Sequence, residues 1–242
     1  MRYVGSKKRI AKRLLAEITA RRGNRSVYWE PFCGGLNSFS VIAPTFSKAF
    51  ASDSHTDMVM MWVAIWDGWT PPAIVTEEEY SSLRHAPSSA LRGFVGMGGS
   101  FGGKWFGGYA RGGVNSDGTP RNHQRESSDA AVRRIRELSG TDVSFRNASY
   151  SDGRADSRFV VYCDPPYAST LGYGGTSEFD HEAFWEWCRV QSLNGALVVV
   201  SEYAAPEDFQ CVAEFRHRMS VSLASDRKIT TEKLFMWRGA TL

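Results

Sequence analysis

Residues 26–66 constrain the fold more than any other stretch. Ser26 to Glu30 reads as a short strand, and Pro31-Phe32-Cys33-Gly34-Gly35 as a turn. A helix is expected from about Asn37 to Ile42. Ala49-Phe50-Ala51-Ser52 reads as a second strand ending at Asp53, and a very apolar helix follows over Thr56 to Trp66. Strand, glycine turn, helix, strand and terminal acid form the opening of a doubly wound α/β sheet. With 242 residues, 42% of them hydrophobic, the chain has room for one such domain with a sizeable insertion, or for one and a half domains.

The same periodicities recur on either side. Ile10, Leu14, Leu15 and Ile18 fall on one face of a predicted helix from Lys7 to Ala20, ended by Arg21-Arg22-Gly23-Asn24. Ser128 to Leu138 is expected to be a helix capped by Ser127 or Ser128. Strands are expected at Val143 to Asn147, Arg158 to Cys163, Ala196 to Ser201 and Glu232 to Trp237, with a helix over Asp180 to Val190 capped by Asp180. Between Asp67 and about Ser127 the alternation fails. Pro71, Pro72, Pro87 and Pro120 interrupt it, and residues 93–118 hold eleven of the 23 glycines. Phe94, Phe101, Trp105, Phe106 and Tyr109 are interleaved with them. An irregular subdomain stapled by aromatics is the expectation there, in preference to disorder. Gly102-Gly103-Lys104-Trp105 lacks the Ser/Thr of a phosphate-cradling loop and follows no predicted strand.

A net charge of +3 conceals an asymmetry. Residues 1–25 carry +8, residues 26–80 carry −6, residues 81–150 carry +5 and residues 151–242 carry −4. Two basic blocks separated by acidic ones suit a protein of which only part meets a polyanion. No apolar run approaches the ~20 residues that span a bilayer. Met1-Arg2-Tyr3 leads into a basic segment without a signal-peptide core, so a cytoplasmic location is expected. Cys33, Cys163, Cys188 and Cys211 form no C-x-x-C pair and the five histidines show no ligand spacing, so neither a metal nor a disulfide framework is expected.

The most specific chemistry lies at Asp164-Pro165-Pro166-Tyr167, directly after the predicted strand Phe159-Val160-Val161-Tyr162-Cys163. Proline fixes φ, removes an N–H and restricts the preceding residue. The carbonyls here are thus rigid and free to accept. A carboxylate, stiff carbonyls and an aromatic plane suit a flat molecule with an exocyclic amine, such as adenine. Ligands of open α/β sheets bind beyond the carboxyl ends of the strands. The turn Glu30 to Gly35 and Asp53, a carboxylate suited to ribose hydroxyls or to capping the next helix, share that edge.

These residues resemble the Dam-type DNA adenine N6-methyltransferases, which use S-adenosylmethionine. Tyr3-Val4-Gly5-Ser6-Lys7 is similar to the family's N-terminal motif, in which an aromatic residue and a lysine lie near the cofactor. Glu30-Pro31-Phe32-Cys33-Gly34-Gly35 resembles its first cofactor motif, and Asp53 its ribose acid. Asp164-Pro165-Pro166-Tyr167 resembles its catalytic motif, with Thr170 and Tyr173 as a frequent continuation. Asn147 to Tyr150 falls where the family contacts the cofactor's adenine. The order of motifs is that of the family's α group.

The resemblance implies a Rossmann-like class I methyltransferase fold, with a doubly wound, mostly parallel sheet. Residues 1–66 and 141–242 would form the core, and 67–140 an inserted target-recognition subdomain. It also implies that adenine is flipped out of double-stranded DNA. Tyr167 would stack on the base while Asp164 and Pro165 hold its amine. Lys8, Arg9, Lys12, Arg92, Lys104, Trp105, Arg111, Arg121, His123 and Arg125, with Thr170 and Tyr173, are the candidate DNA contacts. No obligate protein partner is implied. Two departures stand out. Leu36 occupies a position usually held by glycine, where a Cβ is expected to crowd the cofactor or alter the turn. Ser149 replaces an Asp before Tyr150. RNA adenine, cytosine N4 or protein glutamine as substrate, and a non-catalytic DNA-binding homologue, are the alternatives.

Overall fold

The computed structural model describes residues 7–114, 117–167, 179–218 and 229–240. Strands β1 (Val27–Glu30), β2 (Lys48–Asp53), β3 (Asp142–Asn147), β4 (Phe159–Cys163), β5 (Leu197–Glu202), β6 (Phe209–Arg218) and β7 (Ile229–Trp237) form one sheet among the described residues. Their order is β3-β2-β1-β4-β5-β7-β6. The pairs from β3 to β5 are parallel, and β7 runs antiparallel to both β5 and β6. This order, reversing direction between β1 and β4 with one antiparallel strand near the edge, is that of the Rossmann-like class I methyltransferase fold.

Side-chain alternation along each strand builds two cores. Tyr28, Val160, Tyr162, Leu197 and Val199 face one side. Trp29, Val161, Cys163, Val198 and Val200 face the other, beneath α7 (His181–Leu193). The first core also receives α1 (Ala11–Arg21), α2 (Phe39–Ile42) and α3 (Thr56–Trp66). Leu14 and Ile18 of α1 are wholly buried, as the helical spacing predicts. No helix among the described residues is long and apolar enough to cross a membrane.

The segment between Asp67 and Ser127 is more regular than expected. It contains α4 (Glu77–Leu83) and α5 (Ala90–Gly98), followed by α6 (His123–Glu137). A capping box starts α4: Thr76 accepts from the Glu79 N–H and Glu79 accepts from the Thr76 N–H. Ser89 caps α5. The glycines of α5 serve close packing. A Cβ on Gly93 would lie 2.1 Å from the Asp57 carbonyl oxygen, and one on Gly96 2.4 Å from Trp105. Val75, Tyr80, Phe94, Val95, Met97 and Phe106 join the first core directly.

Three further expectations are corrected. Asn122, not Ser127 or Ser128, caps α6; both serines are buried inside it and donate to the carbonyls of Gly98 and Pro71 at 2.8 and 2.7 Å. Asp53 does not cap α3, whose N-cap is His55. Strand β6 was not expected, because a register shift between Cys211 and Ala213 breaks its two-residue period.

Candidate functional site

Beyond the carboxyl ends of β1, β2 and β4 the chain makes two corners. The first is the turn after β1. Gly34 (φ +41°) and Leu36 (φ +52°) both adopt left-handed backbone. For leucine this costs about 1–2 kcal/mol. The same conformation sends its side chain away from the turn into the core, where it is fully buried and contributes about 1.5–3 kcal/mol. The Leu36 side chain thus packs in the core.

Asp53 ties the turn to β2. One carboxylate oxygen accepts from the Gly34 N–H at 2.8 Å and the other from the His55 N–H at 2.9 Å. Lone pairs remain on both for hydroxyls of a ligand. Burial raises its pKa, against the lowering by these two N–H groups. Glu30 faces inward. Tyr28 and Ser38 donate to its two oxygens at 2.8 and 2.6 Å, and burial, against the lowering by these two donors, lifts its pKa to about 8. Cys33 is likewise buried. Pro31 and Gly35 are buried in the turn, and Phe32 packs against Tyr150 at 5.5 Å. Ser149 takes a local role, accepting from the Ser151 N–H to cap the short turn Tyr150–Asp152.

The second corner is Asp164-Pro165-Pro166-Tyr167. Lys7 reaches Asp164 Oδ1 at 2.7 Å and Glu232 Oε1 at 2.9 Å. The Tyr167 hydroxyl donates to the same Glu232 oxygen at 2.5 Å. The Lys7 ammonium lies 4.8 Å from the centre of the Tyr167 ring, and Tyr203 meets that ring edge-on at 4.8 Å. Pro165 is buried and Pro166 half-buried. Burial raises the Asp164 pKa, Lys7 lowers it and Glu232 raises it again, leaving it at about 6. Burial works to lower the Lys7 pKa, but the two carboxylates outweigh it and the net shift is upward.

Sequence reasoning placed Lys7 with the cofactor; its contacts are at the Asp164 corner. Glu232 was missed as a site residue, although a signal existed. It is in phase with Leu234 and Met236, both buried, so the alternation already sends an acid to the covered face of β7. Tyr3, Thr170 and Tyr173 lie outside the described residues, as does the side chain of Lys8.

The candidate DNA contacts separate into two sets. Arg92 is bound to buried Asp57 at 2.5 Å and to the carbonyls of Leu83 and Arg84, so its guanidinium joins α3 to α5. Arg111 pairs with Glu77, Arg121 forks onto Glu126, and His123 meets the Gly112 carbonyl at 2.9 Å. Trp105 packs against His55 at 4.2 Å and under Arg92. Arg9, Lys12, Lys104 and Arg125 are exposed. Among the described residues no His, Cys, Asp or Glu group is arranged to hold a metal ion.

Residues 3–89 match the model of a family described as D12 class N6 adenine-specific DNA methyltransferase. The match supports methyltransferase activity, and with it use of S-adenosylmethionine. It includes Lys7, Glu30 and Asp53 and stops well short of Asp164. Similar solved structures include a provisionally assigned methyltransferase from Escherichia coli (10% identity, 96% of this chain and 86% of that one, TM-score 0.39). A provisionally assigned RNA methyltransferase from Pyrococcus horikoshii (10%, 93% and 80%, 0.43) and an rRNA methylase from Streptococcus thermophilus (7%, 95% and 95%, 0.41) are also similar. These likenesses are too remote to carry an argument, and the fold rests on the strand order. Comparison with curated proteins gives no match.

Proposed function

We propose that this chain is an S-adenosylmethionine-dependent methyltransferase acting on N6 of adenine in double-stranded DNA. One observation carries the reading. Lys7, inside the segment that matches the adenine-methyltransferase family, is bound to Asp164, outside it. The matched segment and the Asp-Pro-Pro-Tyr corner therefore belong to one site.

S-adenosylmethionine, when bound, supplies a methyl group on a cationic sulfur that leaves as a neutral thioether. The turn at Gly34 and the remaining lone pairs of Asp53 fit its ribose side, with Phe32 and Tyr150 flanking. The Asp164 carboxylate and the Pro165 carbonyl accept the hydrogens of the adenine amine, which aims the nitrogen lone pair. Tyr167 stacks on the flipped base. The amine gains one bond to carbon and must shed one proton. Asp164, with a pKa near 6, is ionised at neutral pH and takes it.

Exposed Lys104 and Arg125 of the insertion, with Arg9 and Lys12 near the N-terminus, meet phosphates, whereas Arg92 and Trp105 hold the insertion to the core. Nucleoside mass spectrometry after reaction with DNA and with RNA tests the reading. N6-methyladenine in the DNA is expected. Its absence from DNA, or its appearance in RNA alone, would overturn the assignment.

A further inference from the structure

We propose that Glu232 is a positioning residue for methyl transfer, fixing the ring of Tyr167 and the ammonium of Lys7 through a single buried oxygen. The proposal rests on the reading of Asp164 and Tyr167 given above.

Glu232 is 4% exposed. A carboxylate so deeply buried is costly unless paired. Its Oε1 accepts from two groups at once, Lys7 at 2.9 Å and the Tyr167 hydroxyl at 2.5 Å. Those two groups bracket the Asp-Pro-Pro-Tyr turn: Lys7 holds its first side chain and Tyr167 is its last. The prolines stiffen the backbone of the turn, but neither restrains the tyrosine ring. Beyond its contact with Asp164, the ring is held from outside, by a strand 65 residues away in sequence.

Charge gives Glu232 a second effect. Asp164 is faced by Lys7 from the N-terminal turn, Glu232 from β7, Tyr162 and Cys163 from β4, Glu30 from β1 and its own Tyr167. Glu232 acts on Asp164 as a like charge that opposes ionisation. Two carboxylates against one ammonium also leave the corner net negative, which favours a cationic methyl donor.

The test compares Glu232→Gln, Glu232→Ala and Tyr167→Phe. In Glu232→Gln the amide oxygen still accepts from Tyr167 but the charge is gone. We expect kcat to fall about 10-fold at unchanged KM for DNA, and the acid limb of the pH–rate profile to move to lower pH as Asp164 ionises more readily. Tyr167→Phe should cost less when added to Glu232→Ala than when made alone, because the two changes share one tether. A reagent that acylates amines, followed by peptide mass spectrometry, reads Lys7 without any substrate. With one carboxylate removed its pKa falls, so its acylation in Glu232→Gln should rise about 10-fold at pH 9. An unmoved Lys7 reactivity would overturn the proposal, whatever the substrate proves to be. An unmoved acid limb in an active variant would do the same. Failure of the unaltered protein to methylate DNA would instead overturn the functional reading alone.

Discussion

The two corners at the carboxyl edge of the sheet bury similar groups in different company. At the turn after β1, Glu30 meets two hydroxyls, and its pKa rises to about 8. At the corner after β4, Asp164 meets an ammonium, and its pKa stays near 6. Burial alone pushes both carboxyls towards the neutral form. The difference lies in the partner: neutral donors leave Glu30 largely protonated at pH 7, whereas Lys7 keeps Asp164 a base. One corner is thereby suited to shaping a turn and the other to handling a proton. Polar contacts that look equivalent in a drawing are not equivalent in charge.

The strongest way to break this contrast is Asp164→Ala. Methylation should fall at least about 10³-fold, while binding of duplex DNA, read by anisotropy, stays within a few-fold. Near-normal turnover would remove Asp164 from the chemistry. Leu36→Ala should come next. The backbone strain stays and the burial is lost, so urea unfolding should show about 2–5 kcal/mol less stability. A neutral result would mean that the turn does not depend on its core anchor.

The contrast in protonation is sharpened by stability against pH. The Glu30 pKa is raised on folding, from 4.5 to about 8. Across that window the folded state binds more protons than the unfolded one, so stability declines as pH rises, by up to about 1.4 kcal/mol per pH unit. Asp164, raised from 3.8 to about 6, contributes the same sign of slope over its lower window only. Glu30→Gln should therefore flatten the profile between pH 6 and 8, and Asp164→Asn should not. The smallest effect is expected outside both corners. Lys104→Glu with Arg125→Glu should leave stability within about 0.5 kcal/mol. The salt slope of DNA binding should fall by roughly one for each phosphate that these side chains no longer neutralise.

Much of this architecture was legible because it is local. Thr56 to Trp66 is a helix of the predicted length, and Asp180 caps α7 as expected. Helix α5 was obscured by glycines that look like low complexity but serve close contact with α3 and Trp105, a long-range cause. The capping box Thr76 to Glu79 was nevertheless present to be read. Strand β6 was hidden by its bulge. The grip of Lys7 on Asp164 and Glu232 was not legible, because those partners lie 157 and 225 residues away.

By itself the sequence determined the alternation that makes the sheet, the stiff Asp-Pro-Pro-Tyr turn and the acid ending β2, since each depends on neighbours in the chain and on a period of 2 or 3.6. Tertiary structure alone decided which carboxyl keeps its proton, that Leu36 turns into the core and that Glu232 grips both Lys7 and Tyr167. Those outcomes are set by burial and charge at distances of 2.5 to 2.9 Å between segments that meet only once the chain has folded.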